Sequence, residues 1–250
     1  MKIIDGKKIS NDVLGEIKIV VDERIKNRKK VPHLAAVLVG DDGPSETYVK
    51  SKIRACERVG FNSSLFKFDL DISQDELLKE IIKINENQDI DGLISCAGVG
   101  YFGNLENFSV GQILSSINTN LLSHVILTKY LVPFFKKKNK GKLVYIGSES
   151  ALDGGKKGSL YSAAKFGLRG FTQSIRAEVA SRNITVTLIN PGMVKTNFFN
   201  NLDFQPGLST KNSIIVYDIA KIVISILQMD TNTSVDEIVM NPIIKSVIKK

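Results

Sequence analysis

Residues 142–165 read KLVYIGSESALDGGKKGSLYSAAK and join a short apolar run to a longer amphipathic one. The run Leu143–Ile146 is continuously apolar, as in a parallel strand that is buried on both faces. The second run has helical spacing from about residue 159 to residue 181. Tyr161 and Lys165 fall in its first turns. The stretch therefore predicts a β-strand followed by an α-helix that carries chemically active side chains near its start.

The same alternation of strand and helix continues in both directions along the chain. Pro133 lacks a backbone donor and should break or kink the long helix that contains it. Short apolar runs predict strands at 34–39, 65–70, 90–95, 143–146, 184–189 and 237–240. Helical spacing predicts helices at 8–29, 45–59, 159–181 and 213–228. Two further helices are predicted to start at Ser73, with Glu76 in a capping box, and at Ser109 with Gln112, the latter running to residue 136.

Strands that alternate with helices indicate a parallel sheet covered on both faces. We predict an α/β fold with a three-layer, doubly wound parallel sheet, Rossmann-like with a flavodoxin-like start, in a single domain over residues 1–250. The expected strand order is 2-1-3-4-5 with further strands beyond. Ligands of such sheets bind at the carboxyl ends of the strands.

Composition narrows the class of protein. The chain has 250 residues, 43% of them hydrophobic, and no apolar run long enough to span a membrane, so we expect no membrane partner. Its start is too polar for a secretory leader, and two cysteines suit a reducing cytoplasm. Two cysteines and two histidines without ligand spacing predict no metal site. The net charge of +8 lies in clusters near helix ends, which favours solvated faces over a nucleic-acid partner.

Tyr161 and Lys165 are four residues apart and project from the same face of a helix. A tyrosine hydroxyl has an ordinary pKa near 10 and is a poor acid or base at neutral pH. A nearby ammonium favours the phenolate and lowers that pKa toward the working range. Ser148 ends the preceding strand, so its hydroxyl can lie beside Tyr161. Together these residues indicate acid–base chemistry on a small-molecule substrate.

Residues 93–250 resemble the short-chain dehydrogenase/reductases. The resemblance lies in A-G-V-G at 97–100, I-N-T-N-L-L at 117–122, Ser148, the Y-x-x-x-K of Tyr161 and Lys165, and P-G-M-V-K-T at 191–196. It implies an NAD- or NADP-dependent oxidoreductase that acts on a carbonyl or a secondary alcohol.

The resemblance also implies a role for each matching residue. Ser148 would bind the substrate oxygen, and Tyr161 would be the general acid or base. Lys165 would bind the nicotinamide ribose and lower the pKa of Tyr161, and Asn120 would support a water that relays protons to Lys165. Residues 197–211 would form a mobile substrate lid. Cofactor-binding positions would be Ala97, Gly98, Tyr161, Lys165, Ile189, Pro191, Gly192, Val194 and Thr196.

The first half lacks the glycine-rich turn that a dinucleotide needs after the first strand. The family has T-G-x-x-x-G-x-G there, whereas this chain reads G-D-D-G-P-S at 40–45. Two carboxylates at a helix start would repel a diphosphate. We therefore expect weak or absent cofactor binding, with nothing to choose between NAD and NADP.

Residues 1–92 resemble a different family, the bifunctional methylenetetrahydrofolate dehydrogenase/cyclohydrolases. The matching stretches are I-I-D-G-K at 3–7, V-P-H-L-A-A-V-L-V-G at 31–40, S-E-T-Y-V-K-S-K at 45–52, A-C-E-R-V-G-F at 55–61 and D-I-D-G-L-I at 89–94. By this resemblance Tyr48 would stack on the pterin and Lys52 would be the cyclohydrolase acid–base. The family's V-Q-L-P-L-P segment, whose glutamine assists that lysine, is replaced by S-C-A-G.

The sequence thus predicts a chimera of two α/β families joined near Gly92–Ser95. The first hypothesis is a short-chain oxidoreductase, impaired in cofactor binding, that works through Ser148, Tyr161, Lys165 and Asn120. The second is a folate-binding or one-carbon enzyme that works through Lys52. The third is a folded scaffold with neither activity. Any homo-oligomer is expected by analogy only.

Overall fold

The computed structural model describes the backbone of residues 6–40, 43–230 and 232–250, with side chains from residue 11 onward except 41–48 and 231. Its helices are α1 (Gly6–Lys26), α2 (Gly43–Val59), α3 (Gln74–Gln88), α4 (Val110–Ile117), α5 (Ser123–Lys138), α6 (Ser159–Val179) and α7 (Val216–Gln228). Its strands are β1 (His33–Val39), β2 (Asn62–Phe68), β3 (Gly92–Ser95), β4 (Gly141–Ile146), β5 (Ile184–Pro191), β6 (Phe204–Pro206), β7 (Glu237–Met240) and β8 (Val247–Lys249).

The chain divides into two compact units, Met1–Asp89 and Ile90–Lys250. The division falls close to the join predicted at Gly92–Ser95. Both units are built from strands and helices in alternation, so the α/β class is confirmed. The expectation that residues 1–250 fold as one domain stays a prediction.

The first unit is a strand–helix–strand–helix arrangement that follows α1. Strands β1 and β2 are parallel, and their register pairs His33 with Asn62. The predicted capping box at the start of α3 is confirmed, because Ser73 Oγ accepts from Glu76 N and the Glu76 carboxylate accepts from Ser73 N, each at 3.2 Å. The two carboxylates predicted to repel a diphosphate, Asp41 and Asp42, lie outside the described residues.

The second unit contains a parallel sheet with the strand order β3-β4-β5-β7. Side chains alternate between the two faces of a strand. On β4, Leu143 and Tyr145 pack with Phe135 of α5 and Leu168 of α6, whereas Val144 packs with α7 on the other face. This unit therefore has the predicted three layers.

The predicted order 2-1-3-4-5 is confirmed within each unit, as β2-β1 in the first and as β3-β4-β5 with β7 beyond in the second. In the described part of the chain β1 pairs only with β2, and β3 is an edge of the four-stranded sheet. Within β1 only Leu38 is buried, so its apolar run is not that of a strand covered on both faces.

The long helix predicted from Ser109 to residue 136 is interrupted, but not at Pro133 as expected. Pro133 lies inside α5, which continues to Lys138. Pro133 is exposed, so solvent can satisfy the carbonyl that a proline leaves unpaired. The interruption comes earlier, as a π-helical turn over Asn118–Leu122. Among the described helices, none is long and apolar enough to cross a membrane.

Candidate active site

A cleft of about 870 Å³ opens at the carboxyl edge of the four-stranded sheet. The segments that follow β3, β4 and β5 line it together with the first turns of α6. Except for Asn120 and Ile189, the residues predicted for catalysis and cofactor binding in the second unit all line this cleft: Ala97, Gly98, Ser148, Tyr161, Lys165, Pro191, Gly192, Val194 and Thr196. The fold therefore brings together residues that the sequence separates by about a hundred positions.

Ser148 and Tyr161, the predicted substrate-binding serine and general acid–base, both line the cleft. Ser148 Oγ accepts from the Ser150 N–H at 3.1 Å, which fixes the serine rotamer at the end of β4. The Ser148 side chain acts on the Tyr161 hydroxyl by lowering its pKa. Tyr161 is 8% exposed. Burial raises the pKa of its hydroxyl to about 12, and the nearby Ser148 side chain offsets part of that rise.

Lys165 lies one turn further along α6 and is 3% exposed. Its Nζ donates to the Ile146 carbonyl at 3.1 Å and lies 5.7 Å from the centroid of the Tyr161 ring. Burial lowers the pKa of Lys165 to about 8. The predicted lowering of the Tyr161 pKa is therefore not what the structure gives. Removal of both groups from water outweighs their attraction, because burial disfavours the charged form of each.

Asn120 is fully buried and holds the turn that follows β3. Its Oδ1 accepts from Val99 N at 3.0 Å, and its Nδ2 donates to the carbonyls of Val99 at 2.9 Å and Ser116 at 3.0 Å. The residue lies in the π-helical turn, a feature that recurs at functional sites. Asn120 thus determines the backbone position of the Gly98 segment. The predicted water relay stays a prediction.

His124 was not predicted as a site residue. Its Nε2 lies 3.1 Å from the Ala97 carbonyl, and its Nδ1 lies 2.5 Å from Ser95 Oγ. Burial and the nearby charge of Lys165 lower the pKa of His124 to about 4, so the ring is neutral at pH 7. A carbonyl only accepts, so Nε2 carries the proton and Nδ1 accepts from the serine. The i, i+4 spacing of Asn120 and His124 was the available sequence signal.

Asn190 connects Ser148 to the surface of the unit. Its Oδ1 accepts from Ser148 N at 3.1 Å, and its Nδ2 donates to Glu237 Oε1 at 2.6 Å. Arg169 holds both oxygens of Glu237, at 2.8 and 3.0 Å. A Cβ on Gly147 would lie 2.1 Å from Asn190 Oδ1, so only glycine admits this contact. This hydrogen-bond network was not predicted from the sequence, because the residues that form it are far apart along the chain.

The cleft has the features that the nicotinamide–ribose end of a dinucleotide requires. A Cβ on Gly98 would lie 3.2 Å from Asn120 Oδ1 and 3.8 Å from Lys165 Nζ, so glycine keeps this approach open. An ammonium has three donors, and Lys165 uses one on Ile146. The remaining donors suit ribose hydroxyls. The residues present therefore fit this end of the cofactor.

Other predicted residues lie elsewhere. Ile189 does not line the cleft, because it points into the core with Val144 and Ile226. The predicted lid segment 197–211, in contrast, borders the cleft through Phe198, Phe199 and Phe204 and carries β6, which pairs with β8. Lys52 lies on α2 with an exposed side chain, whereas the Tyr48 side chain lies outside the described residues.

Fold and cleft together define a Rossmann-like α/β protein with a Ser–Tyr–Lys set at the carboxyl edge of its sheet. Residues 35–206 match the family model described as short chain dehydrogenase, and the chain belongs to this family. The match begins upstream of the predicted join.

Solved structures with a similar fold include oxidoreductases. An alcohol dehydrogenase from Thermococcus sibiricus, complexed with 5-hydroxy-NADP, aligns with a TM-score of 0.70 and 21% identity over 92% of each chain. The acetoin dehydrogenase YohF from Salmonella typhimurium aligns with a TM-score of 0.68 and 16% identity, over 85% of this chain and 94% of its own. At these identities the likeness shows the fold alone.

A second resemblance covers a shorter part of the chain. The bifunctional protein FolD of Christiangramia forsetii is 58% identical over 94 residues, which is 38% of this chain and 31% of that protein. FolD of Bacteroides fragilis is 51% identical over 94 residues, which is 38% of this chain and 32% of that protein. The chain spans about a third of the length of these curated relatives. The two resemblances confirm the predicted combination of a folate-lobe-like segment with a short-chain dehydrogenase segment.

Proposed function

We propose that the chain is an NAD- or NADP-dependent oxidoreductase that interconverts a carbonyl and a secondary alcohol in the cleft of its second unit. The supporting observation is the arrangement of Ser148, Tyr161 and Lys165 in one cleft, with Lys165 Nζ 5.7 Å from the centroid of the Tyr161 ring. A bound nicotinamide supplies or accepts the hydride.

The side chains of the cleft handle the proton. Tyr161 has a pKa of about 12, so it is protonated at neutral pH and donates its proton to the substrate oxygen during reduction. Ser148 donates a hydrogen bond to the same oxygen and holds it beside the phenol. Lys165 is charged below its pKa of about 8 and stabilises the phenolate that remains. Alcohol oxidation needs the phenolate first and should therefore accelerate as the pH rises.

Two resident side chains keep the cleft in shape. Asn120 holds both backbone polar groups of Val99, and His124 holds the Ala97 carbonyl. These contacts orient the turn that would lie against the ribose. Catalysis by positioning depends on such fixed geometry.

We propose further that cofactor affinity is low. The sequence lacks a glycine-rich turn after its first strand, so a diphosphate would lose charge-assisted hydrogen bonds worth about 1.5–3 kcal/mol each. The loss of two would raise Kd by roughly 10²- to 10⁴-fold. Millimolar cofactor concentrations are then needed to observe turnover.

The identity of 51–58% to FolD over 94 residues favours a second candidate function, cyclohydrolase-type chemistry through Lys52. One crossed experiment separates the two. Ketone reduction and 5,10-methenyltetrahydrofolate hydrolysis are measured for the wild type, Tyr161→Phe and Lys52→Met. We expect reduction that is lost only in Tyr161→Phe. Hydrolysis that is lost only in Lys52→Met would support the second candidate, and inactivity in both assays with a cooperative melt would support a scaffold.

A further inference from the structure

Four phenylalanines from three segments of the second unit pack together, and two of them contact the ring of Tyr161. Phe102 lies 5.2 Å and Phe198 5.9 Å from Tyr161 between ring centroids. Phe204 lies 5.1 Å from Phe102, and Phe199 lies 5.3 Å from Phe198. We call these four residues the phenylalanine cluster; all of them line the cleft. Such rings offer a large apolar surface with edge and face contacts for another ring.

The mouth of the same cleft is cationic. Five lysines line the cleft, and all of them except the buried Lys165 are exposed. Only two carboxylates line the cleft. One lysine, Lys245, is paired with Glu149 at 2.6 Å. The others, Lys156, Lys157 and Lys249, form no ion pair with any side chain that the structure describes, and we call them the rim lysines. Asp203 is the remaining carboxylate, so the mouth keeps an excess of positive charge.

The backbone places two rim lysines next to two members of the phenylalanine cluster. Lys249 on β8 is the direct partner of Phe204 on β6. Residues directly opposite in a sheet project from the same face. The Lys157 carbonyl accepts from Gly103 N at 2.8 Å, which places that lysine beside the Phe102 segment. Apolar surface and positive charge therefore adjoin each other on the side of the cleft where Tyr161 meets its substrate.

The size of the cleft allows a ligand to contact both features. A volume of about 870 Å³ is in the range of sites for drug-sized molecules. A small neutral ketone would leave most of the phenylalanine cluster in contact with water and the rim lysines without a counter-charge. A ligand with an aromatic body and an acidic end satisfies both.

We propose that the cleft selects carbonyl compounds, and the corresponding alcohols, that have an aromatic or other bulky apolar body and an anionic group at the end away from the reacting carbon. This inference rests on the proposed function, because a ligand of the cleft is a substrate only if the cleft is the active site of an oxidoreductase. The reacting oxygen would lie at Ser148 and Tyr161, the body against the phenylalanine cluster, and the anion among the rim lysines.

Binding of a matched ligand pair tests the selection without turnover. The probes are 4′-acetylbiphenyl-4-carboxylate and its methyl ester, titrated calorimetrically into the full chain at low ionic strength without nicotinamide cofactor. Each exposed ion pair contributes modestly, so we expect the carboxylate to bind roughly 3- to 30-fold more tightly than the ester. The ratio should fall toward one in high salt, since the rim is exposed to solvent.

Variants locate the preference. In Lys157→Gln/Lys249→Gln the ratio of the two Kd values should approach one. Lys79→Gln, an exposed lysine on α3 of the first unit, is the matched control and should keep the wild-type ratio. Phe204→Ala should weaken both probes. Equal affinities of the wild type at low salt, or a ratio that the double variant does not change, would overturn the proposal.

The outcome is separable from that of the proposed function. A carboxylate preference that depends on the rim lysines, without reduction of either probe, keeps the ligand class and contradicts the oxidoreductase. Reduction of both probes with equal affinities keeps the oxidoreductase and contradicts the ligand class.

Discussion

The Asn190 side-chain oxygen accepts a hydrogen bond from the backbone N–H of Ser148 at 3.1 Å. Both residues are buried, and the amide of Asn190 is in turn held by Glu237. Ser148 is therefore positioned by a network of polar side chains that ends at Arg169 on the surface of the unit. Interactions of this kind lock a reactive side chain into one geometry.

Asn190→Leu keeps the approximate size of the side chain and removes both hydrogen bonds. A buried N–H without a partner costs about 1–3 kcal/mol, so we expect a lower melting temperature and a lower kcat for ketone reduction. Arg169→Met should have a smaller effect of the same sign. The control is Arg182→Met, which replaces an exposed arginine that is not part of this hydrogen-bond network. A fall in stability with wild-type kcat would mean that Asn190 is structural only.

Gly147 permits the contact between Asn190 and Ser148, because its missing Cβ would lie 2.1 Å from the amide oxygen. Gly147→Ala forces that oxygen away, and we expect a loss of roughly 1–3 kcal/mol in the free energy of unfolding together with a fall in kcat. Gly170→Ala is the matched control. No atom lies within 4 Å of its added Cβ and it is helical, so it should gain about 0.5–1 kcal/mol. Denaturant titration of both variants measures the contrast.

Lys165 is held in the cleft at a cost in stability. Its pKa is about 8 in the folded chain, whereas an unperturbed lysine, as in the unfolded chain, has a pKa of 10.5. Between these two pH values the unfolded state therefore binds more protons than the folded state. Stability therefore rises with pH from about 8 to 10.5, and at pH 7 the buried charge is unfavourable. Lys165→Met should raise the free energy of unfolding at pH 7 by roughly 1–3 kcal/mol and remove most of the pH slope in that window. It should also abolish reduction.

The control for that experiment is Lys129→Met, which removes an exposed lysine from α5. It should change neither the stability at pH 7 nor the slope between pH 8 and 10.5. Destabilisation by Lys165→Met, with a slope equal to that of the wild type, would show that Lys165 is not held against its preferred protonation state.

Cofactor affinity is a separate prediction. The chain contains no tryptophan, so the nicotinamide fluorescence of NADPH can be followed with little background from the protein. We expect a Kd near the millimolar range and weaker binding still in Lys165→Met. A micromolar Kd would contradict the inference from the absent glycine-rich turn.

Local patterns predicted most of the helices and strands and the neighbours of most strands. The capping box at Ser73 and the helix start at Ser109 with Gln112 are confirmed, because a cap needs only residues that are close together along the chain. The strand order within each unit was also predicted, as β2-β1 and as β3-β4-β5, because consecutive strand–helix units place their strands side by side. The short strands β6 and β8 were missed, because they pair segments whose own patterns are weak.

Some residues of the candidate site were likewise predicted from a local pattern, and others were not. A linear motif located Ser148, Tyr161 and Lys165, and the structure brings them into one cleft. His124 and Asn190 act through contacts with distant residues and leave little signal in the sequence. The pKa of Tyr161 was predicted with the wrong direction, because the extent of its burial depends on packing across several elements.

The most direct test of the central claim follows a deuterium atom from the C4 position of the labelled reduced cofactor to the ketone carbon of 4′-acetylbiphenyl-4-carboxylate, at millimolar cofactor and neutral pH. We predict transfer by the wild type and a rate lower by roughly 100-fold or more in Tyr161→Phe, the range in which a general acid contributes. No transfer by the wild type, or an equal rate in the variant, would contradict the account.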